Sequence, residues 1–572
     1  MRPMTMALLL AASLPATVGS AAPAPADLLL THGAIYTVNA AQPWAEAVAV
    51  KDGKIVFVGS DAQAKAYAGS ATQVVDLKGH FAMPGIVDEH VHPIMGGIKI
   101  LYECNFPFTA KPADVSAAVK ACAAKAAPGA WIRGGQWGSS FFVQNKLESP
   151  RAFLDAVSGD HPVYLYDDSG HNGWANSAAL KAAGLSKVSK DPDGGTILRD
   201  AAGAPNGVLL ETAARVFDKV IPPWTDAQFL AAARESARLA NGYGITAIKD
   251  AGAPFDKSGL AFSTLDKQGQ LTLEVAICAR TPYGARKEPL DYATVERQHD
   301  KFKTQHVHTD FVKLFLDGVP TEARTAAMLD PYVADPAHGA GFKGELHLDP
   351  ALLARDVTEL DKRGFTIKMH AAGDASVRAG LDAVAAARKA NGNSHLHHEL
   401  AHAGYVGPGD IERFAKLDVI PDFSPIIWYP SPIIASVVKA VGPRGEHYWP
   451  ARSLLDAGAL VASGSDWPAA VPDENPWGGI EALVTRKDPT GTTPGTLWPE
   501  QAVTLAEAVK IYTWNGARAL KLESRIGSIE TGKSAQIIVL DRNLFKIPAD
   551  DIGGTKVLMT WFEGKLAQGQ LP

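Results

Sequence analysis

Eight apolar segments separated by helical stretches constrain the fold of this chain more than any other feature of its sequence. Several of the intervening stretches are alanine-rich and amphipathic. Strands that alternate with helices are typical of a parallel sheet with crossover helices, and eight such units close a (β/α)₈ barrel. We therefore predict an α/β protein built on a TIM-like barrel. The predicted strands are residues 85–92, 245–250, 273–279, 311–317, 365–371, 395–402, 418–424 and 460–466.

Short alternating strands with glycine turns recur at both ends of the chain, at residues 27–84 and 521–572. Neither end buries enough apolar surface to stand alone, because a few short strands need a partner sheet. We predict one composite β-sandwich domain from both ends, with the barrel at residues 85–96 and 222–520.

A long interruption separates the first and second predicted barrel strands. It far exceeds the length that a crossover between parallel strands needs. Residues 97–221 contain their own helical pattern, an apolar strand and turn-rich segments. We predict an inserted α+β domain there, rooted at the C-terminal end of the first strand and lying over the barrel mouth.

The first residues are typical of a secretory signal peptide, which we assign to residues 1–26. Arg2 precedes an apolar run, Ala7 to Leu14, that is too short to span a bilayer. A disordered or membrane-tethering tail is the alternative. We expect an exported protein, periplasmic or secreted, without stable membrane insertion.

Charge and cysteine content exclude several classes of protein. The net charge of -6 supplies no basic surface for nucleic acid, so the expected partner is a small-molecule substrate, and a homodimer stays open. Three cysteines are too few for a disulfide framework and are not spaced as a zinc site. Cys104 and Cys122 can pair in an oxidising compartment, whereas Cys278 is expected to be buried. Any metal must therefore be held by nitrogen and oxygen ligands.

The sequence His90-Val91-His92 stands at the end of the first predicted strand. Alternate side chains of a strand point the same way, so both imidazoles can reach one metal ion. The same spacing recurs at His306-Val307-His308, but no apolar strand leads into it. We interpret that second pair as ordinary solvated histidines.

Four further polar residues fall at or near the ends of other predicted strands. They are Lys313, His370, His402 and Asp466, on the fourth, fifth, sixth and eighth strands. Barrel enzymes keep their chemistry at the C-terminal ends of the strands. We therefore expect these residues to converge with His90 and His92 on one axial metal site.

Seven stretches carry a resemblance to a known family. They are residues 85–92 (GIVDEHVH), 131–134 (WIRG), 170–180 (GHNGWANSAAL), 312–318 (VKLFLDG), 370–374 (HAAGD), 464–468 (GSDWP) and 527–536 (GSIETGKSAQ). In these the chain resembles the amidohydrolase superfamily, and within it the YtcJ-like branch that includes N-substituted formamide deformylase. The resemblance covers nearly the whole chain after residue 26.

That resemblance implies two divalent metal ions. His90 and His92 would hold the more buried ion, and His370 and His402 the more exposed one. Lys313 would bridge them as a carbamate, since an ammonium cannot ligate a cation and must first lose its proton and react with CO₂. The ligands suit zinc best, without excluding manganese, iron or cobalt.

The resemblance also implies the reaction. Metal-bound hydroxide would attack a carbonyl, and Asp466 would touch a metal and carry the proton to the leaving nitrogen. The product would come from hydrolysis of a non-peptide or peptide-like C–N bond, in an amide, N-acyl or formamide compound. Two alternatives stay open. One is a heterocycle deaminase with a single metal, and the other is a non-catalytic exported binding protein on the same scaffold.

Residues for substrate contact are predicted in the loops around the site, where aromatic and polar groups commonly line pockets. They are Arg133, Trp137, His171, Arg324 and Trp467. Core packing is the alternative for each aromatic. The chain also departs from the family pattern at the sixth strand, where Ala401 precedes His402 in place of a glutamate and Glu399 lies earlier. The support of His402 is therefore expected to differ.

Overall fold

The computed structural model describes residues 23–570 except 108, 139–140, 168–171, 193–194, 253–254, 283, 336–337, 428 and 470. Most of the predicted signal peptide, residues 1–22, lies outside this part of the chain. Within the described residues no helix is both long enough and apolar enough to cross a membrane.

Eight strands form one parallel sheet in which each strand pairs with the next one along the chain. They are Ile86–Val91, Ile245–Asp250, Glu274–Arg280, Val307–Phe315, Thr366–Ala371, Glu399–His402, Ile420–Phe423 and Ala462–Ser463. The predicted (β/α)₈ barrel is confirmed, and each predicted strand overlaps an observed one.

The barrel closes where the eighth strand meets the first. The amide of Asp466 donates to the carbonyl of His90 at 2.6 Å, and the amide of His92 donates to the carbonyl of Trp467 at 2.7 Å. Gly464 permits this approach, because a Cβ at that position would lie 2.2 Å from the backbone nitrogen of His90. Closure therefore brings residue 466 beside both histidines of the first strand.

Helices cover the outside of the barrel. They include Asp226–Gly242, Phe255–Lys267, Tyr292–Phe302, Pro350–Lys362, Asp374–Asn391, Ile411–Leu417, Pro432–Val441, Ala451–Asp456, Pro476–Thr485 and Leu505–Lys510. The first of these begins at a capping box in which Thr225 and Gln228 satisfy each other's backbone amides. Its small residues Ala233, Ala237 and Ala240 are buried against the barrel core, so the helix packs closely.

The barrel interior has two layers of different chemistry. The layer nearer the strand starts is apolar and includes Val87, Ala247, Cys278, Phe311 and Ile420. Buried charged residues stand two positions further along three of the same strands, at Glu89, Lys249 and Asp422. The histidines follow above this charged layer, at the C-terminal ends.

Both chain ends contribute to one β-structure of two packed sheets. The six-stranded sheet joins Ala34–Tyr36, Trp44–Ala45 and Phe81–Pro84 to Ile537–Leu540, Val557–Phe562 and Lys565–Gly569. The four-stranded sheet contains Leu28–Thr31, Ala47–Lys51, Lys54–Gly59 and Gln73–Asp76. Leu30 and Val50 of the small sheet share a core with Ile537 and Trp561 of the large one.

The long interruption after the first strand forms a sheet and core of its own. The strands are Cys104–Asn105, Ile132–Trp137, Val163–Asp167, Gly173–Ala175, Gly195–Arg199 and Pro205–Glu211. Helices Pro112–Lys125, Pro150–Ser158 and Ser177–Ala182 pack with them. Cys104 and Cys122 are joined by a disulfide, and Cys278 is free and buried in the barrel.

Candidate metal centre

A β-bulge at the end of the first barrel strand sets the direction of His90. Asp88 pairs with Ile248 and Val91 pairs with Asp250, so Glu89 and His90 together oppose Lys249 alone. A bulge of this kind places an extra residue in one strand and re-aims its side chains. Both neighbours consequently contact groups inside the barrel: Glu89 contacts Lys249 at 2.8 Å, and the ring of His90 contacts the interior carboxylate Asp422.

His90 is fully buried and has a fixed ring orientation. Its Nδ1 lies 2.6 Å from Oδ2 of Asp422, a carboxylate that accepts the ring N–H. The lone pair therefore stays on Nε2, which is 3.3 Å from Nζ of Lys313 and 3.4 Å from Oδ1 of Asp466. A histidine that donates one nitrogen to a carboxylate and presents the other is the usual arrangement of a metal ligand.

Asp466 joins the two histidines of the first strand. Its Oδ1 is 3.4 Å from Nε2 of His90 and 3.4 Å from Nε2 of His92. Donor atoms of these three residues all lie within 4.8 Å of one another. One cation placed among them would meet two imidazoles and a carboxylate, which suits zinc and similar ions.

His370 and His402 complete the opposite side of the cluster. Their ring centroids are 4.4 Å apart, and the ring of His402 is 4.9 Å from that of His90. Nε2 of His370 lies 2.9 Å from the carbonyl of Gly318 and must donate to it, so the lone pair of His370 is on Nδ1. The six predicted residues thus form one continuous cluster at the C-terminal ends of five strands.

Two members of the cluster have left-handed backbones that side chains rarely adopt. The φ angles are 70° at His402 and 60° at Asp466. Strain of this kind persists where the surroundings fix it, and it is concentrated at functional sites. The indole of Trp449 donates to the carbonyl of His402, which helps to fix that turn.

The electrostatics of the cluster favour neutral nitrogen donors. Burial and the neighbouring Lys313 lower the pKa of His370 to about 4. Burial also takes the pKa values of His90 and His402 well below the ordinary value. For Lys313, burial and the nearby Lys368 ammonium lower the pKa to about 8, so a neutral amine is accessible near neutral pH.

A network of buried ions lies directly beneath the cluster. We name it the interior charged layer, and its members are Glu89, Lys249, Lys368, Glu399 and Asp422. Each of these side chains is inaccessible to solvent. Glu399, the glutamate that lies three positions before His402, therefore contacts buried lysines here.

The predicted substrate residues occupy varied positions. The guanidinium of Arg133 lies 3.0 Å from the ring centre of Trp224 and donates to the carbonyl of Pro222 at 2.8 Å. Trp137 and Trp467 are buried. Arg324 has a left-handed backbone. His171 lies outside the described residues.

Three of these side chains are engaged by neighbours on the protein. Arg324 contacts Oδ2 of Asp335 at 2.9 Å, and Trp137 belongs to the core of the inserted sheet. The ring of Trp467 packs against Gly96, whose Cβ would lie 2.0 Å from it. Trp467 adjoins the histidine cluster through its backbone, because its carbonyl accepts the amide of His92 at 2.7 Å.

The second histidine pair is not solvated as the sequence suggested. His306 and His308 lie at the start of the fourth barrel strand, at the N-terminal end. Nδ1 of His306 contacts Asp266 at 2.6 Å, and Nε2 of His308 contacts Glu274 at 2.7 Å. Both histidines contact carboxylates that neighbouring elements supply and that their own sequence does not reveal.

Sequence reasoning missed Asp422, the residue that holds His90. A weak signal was present, since Asp422 interrupts the otherwise apolar run Ile420–Phe423 of a buried strand. The same signal exists for Lys249 and Lys368, which also interrupt buried strands. Charged residues at such positions must find partners inside the barrel.

Comparisons with known proteins find a matching family and similar proteins. A model described as the amidohydrolase family matches residues 73–568. Protein LONG AFTER FAR-RED 3 of Arabidopsis thaliana is 30% identical over 94% of this chain and 91% of its own length. N-substituted formamide deformylase of Arthrobacter pascens is 29% identical over 94% of this chain and 98% of its own.

A solved structure shows the same fold. The crystal structure of an uncharacterized metal-dependent hydrolase from Pyrococcus horikoshii superposes with a TM-score of 0.72. The match covers 91% of this chain and 99% of the other at 23% sequence identity. It therefore extends over the barrel and both additional parts of the chain.

Proposed function

Because the chain belongs to the amidohydrolase family, whose model matches residues 73–568, we propose that it hydrolyses a carbon–nitrogen bond of an amide, N-acyl or formamide compound. One observation carries the proposal. Nε2 of His90 is buried and lies 3.3 Å from Nζ of Lys313 and 3.4 Å from Oδ1 of Asp466. That arrangement suits a divalent cation held by His90, with Asp466 beside it as a proton carrier.

The donor set fits a divalent metal, zinc above all. His90 and His92 would hold one ion, and His370 and His402 a second, since the four rings lie in one cluster and burial lowers the pKa values of His90, His370 and His402. When bound, the metal would polarise the substrate carbonyl and lower the pKa of a coordinated water.

Lys313 would serve as the bridge. Its neutral amine attacks CO₂, forms an N–C bond and releases a proton, which leaves a carbamate with two oxygen donors. The site supports this because Lys313 is 1% exposed and its pKa is lowered to about 8. A neutral lysine is both the reacting form and the form that burial favours.

Asp466 would move the proton of the reaction. Its carboxylate is within 3.4 Å of two ligand nitrogens, so it lies beside the reacting atoms. It would accept a proton from the attacking water and deliver it to the leaving nitrogen. The left-handed backbone at Asp466, and the hydrogen bond that its backbone N–H donates to the carbonyl of His90, hold the carboxylate in that place.

A substrate panel tests the proposed reaction. The purified protein would be incubated with N-formyl, N-acyl-amino-acid, dipeptide and lactam compounds under zinc, manganese and cobalt. We expect release of an amine and a carboxylic acid from at least one class. Release of ammonia from an amino-heterocycle instead would overturn the proposal in favour of a deaminase, and metal binding without any turnover would favour a binding protein.

Substitution of the bridge gives a second test. Lys313→Ala should lower metal content and activity together, and a short carboxylate such as formate should restore part of both by supplying the missing oxygens. Lys439→Ala, at a largely exposed lysine paired with Glu322, is the control and should leave both unchanged. Unchanged metal content in Lys313→Ala would contradict the bridge.

We also propose that the protein is exported. The bond between Cys104 and Cys122 supports this, because disulfides persist in oxidising compartments. Mass determination of the chain from the periplasm and the medium should find a mature N-terminus near residue 27. An intact Met1 terminus on cytosolic protein would contradict export.

A further inference from the structure

One carboxylate of the interior charged layer contacts both a buried lysine and a proposed metal ligand. One oxygen of Asp422, Oδ2, contacts both Nδ1 of His90 at 2.6 Å and Nζ of Lys368 at 2.7 Å. We infer that Asp422 is a positioning residue that fixes the tautomer and aim of His90, and that the rest of the layer holds Asp422 in place for this task. The inference rests on the proposed metal site and deepens it.

Lys368 holds the carboxylate of Asp422 beside the ring of His90. Its Nζ lies 2.7 Å from Oδ2 of Asp422, the same oxygen that contacts Nδ1 of His90. The side chains of Asp422 and Lys368 have no solvent exposure, so these contacts are shielded from water. The position of Oδ2 is therefore set by two buried neighbours.

The layer distributes two ammonium groups over three carboxylates. Lys368 also contacts Oε2 of Glu89 at 2.8 Å and Oε2 of Glu399 at 3.0 Å. Lys249 contacts Oε1 of Glu89 at 2.8 Å and also pairs with Glu399. Each lysine therefore bridges carboxylates from different strands, and Lys368 joins Asp422 to the rest of the layer.

The bulge ties His90 to this layer twice. Glu89 and His90 are the two adjacent residues that oppose Lys249 in the bulge, and both side chains contact groups inside the barrel. Glu89 anchors the backbone of the bulge through the lysines, while Asp422 anchors the ring. A shift of the bulge would have to break ion pairs at both residues.

Barrel stability does not explain the arrangement. Apolar side chains of similar volume fill barrel interiors equally well, and replacing buried ion networks by apolar groups is often neutral or stabilising. The chain uses apolar residues one layer below, at Val87 and Phe311. The charged layer lies directly beneath the histidines, where the carboxylate of Asp422 has the ring of His90 to orient.

The test compares two buried histidine–aspartate pairs. Asp422→Asn keeps the shape and an acceptor oxygen but removes the charge. Asp361→Asn is the matched control, since Asp361 contacts Nε2 of the buried His398 at 2.9 Å, at the other end of the sixth strand. Metal affinity would be measured by competition with a chelator, and the site geometry by the visible absorption of the Co²⁺ form.

We expect Asp422→Asn to weaken metal affinity about 10- to 100-fold and to change the Co²⁺ spectrum, as loss of a ligand's carboxylate partner typically does. Asp422→Glu, which restores the charge, should recover part of the affinity. Asp361→Asn should leave both readouts at the wild-type value while lowering stability. Wild-type affinity in Asp422→Asn, or equal losses in both asparagine variants, would overturn the inference.

Two further measurements separate this inference from the proposed reaction. Affinity and spectra need no substrate, so a failed substrate panel leaves them decisive. If Asp422→Asn does not fold, the imidazole ¹⁵N spectrum of the metal-free wild-type protein serves instead. A protonated Nδ1 on His90 supports the inference, and a protonated Nε2 contradicts it.

Discussion

The sequence His-Val-His occurs twice in this barrel, at residues 90–92 and 306–308, and the two copies lie at opposite ends of their strands. The first follows the strand Ile86–Val91 toward the C-terminal face. The second begins at the N-terminal face, where the strand Val307–Phe315 starts. Both copies contact carboxylates, so residue type and spacing alone do not separate them.

The carboxylates are used differently at the two places. His90 and His92 share one oxygen of Asp466 and leave ring nitrogens directed at a common centre. His306 and His308 each contact a different carboxylate, Asp266 and Glu274. Convergence on one atom permits metal binding, whereas separate pairing gives structural ion pairs.

The second copy joins two parts of the molecule. Nε2 of His306 lies 3.3 Å from Glu563, in the turn between the last two strands of the β-sandwich. Arg525 covers Glu274 at 2.9 Å. Donor atoms of Glu274, His306 and Glu563 also come within 4.8 Å of one another, but here a permanent cation already balances the acids. We interpret this cluster as an electrostatic contact between barrel and sandwich.

Removing the charge of the carboxylate beside each copy should give the largest difference between the two copies. Asp466→Asn removes the proton carrier and is expected to lower kcat/KM by about 10³-fold on the best panel substrate. Asp266→Asn should leave kcat/KM within about twofold and instead lower the melting temperature. Equal activity losses in the two variants would show that the copies do not differ in role.

The buried acid of the second copy should have the next largest effect, on stability. Glu274→Gln leaves His308 and Arg525 without their shared anion, and we expect a loss of about 3 kcal/mol in the free energy of unfolding. Urea denaturation measures it. A loss below about 0.5 kcal/mol would mean that the cluster does not hold the two parts together.

The pH dependence of stability reports the protonation of His306 in the second copy. Burial alone would lower the pKa of His306, but hydrogen bonds to Glu563 and Asp266 raise it to about 9. Glu274, His308 and Arg525 are the other charged or titratable groups of the cluster.

Because the folded protein holds the proton of His306 more tightly than the unfolded chain, the stabilisation is complete below about pH 6.5 and is lost as the pH rises to about 9. Wild type should therefore lose about 2 kcal/mol more than His306→Gln between those pH values. Parallel stability curves for the two proteins would contradict the assignment of a protonated His306.

The smallest effect is expected at the rim of the second copy. The side chain of Arg525 is 38% exposed, so water can replace much of its contact with Glu274. Arg525→Ala should cost about 1 kcal/mol or less in the free energy of unfolding. The measurement is the same urea titration, and a loss as large as that of Glu274→Gln would show that the arginine, not the acid, organises the cluster.

Most of the fold follows from local patterns in the sequence. Eight apolar strands and amphipathic helices predict the barrel because each pattern reflects burial of its own face. The same logic predicts that His370 and Asp466 reach one site. The bulge at Glu89 and His90 was not predictable, because it depends on the pairing register with Lys249.

The partners of two histidines could not be predicted because they come from distant parts of the chain. Asp422 lies more than three hundred residues after His90, and only barrel closure makes them neighbours. The sequence does not reveal the pairing of His306, because Glu563 reaches it from the far end of the chain. In both cases the histidine is visible in the sequence, while the group that determines its role is not.

Metal content of purified variants tests whether His90 and His92, and not His306 and His308, bind the metal. Elemental analysis would compare wild type with His90→Ala/His92→Ala and with His306→Ala/His308→Ala, all purified without added chelator. We expect one or two divalent ions per chain in wild type and the same number in His306→Ala/His308→Ala. We expect loss of bound metal in His90→Ala/His92→Ala. Metal retained without His90 and His92, or lost with His306 and His308, would contradict it.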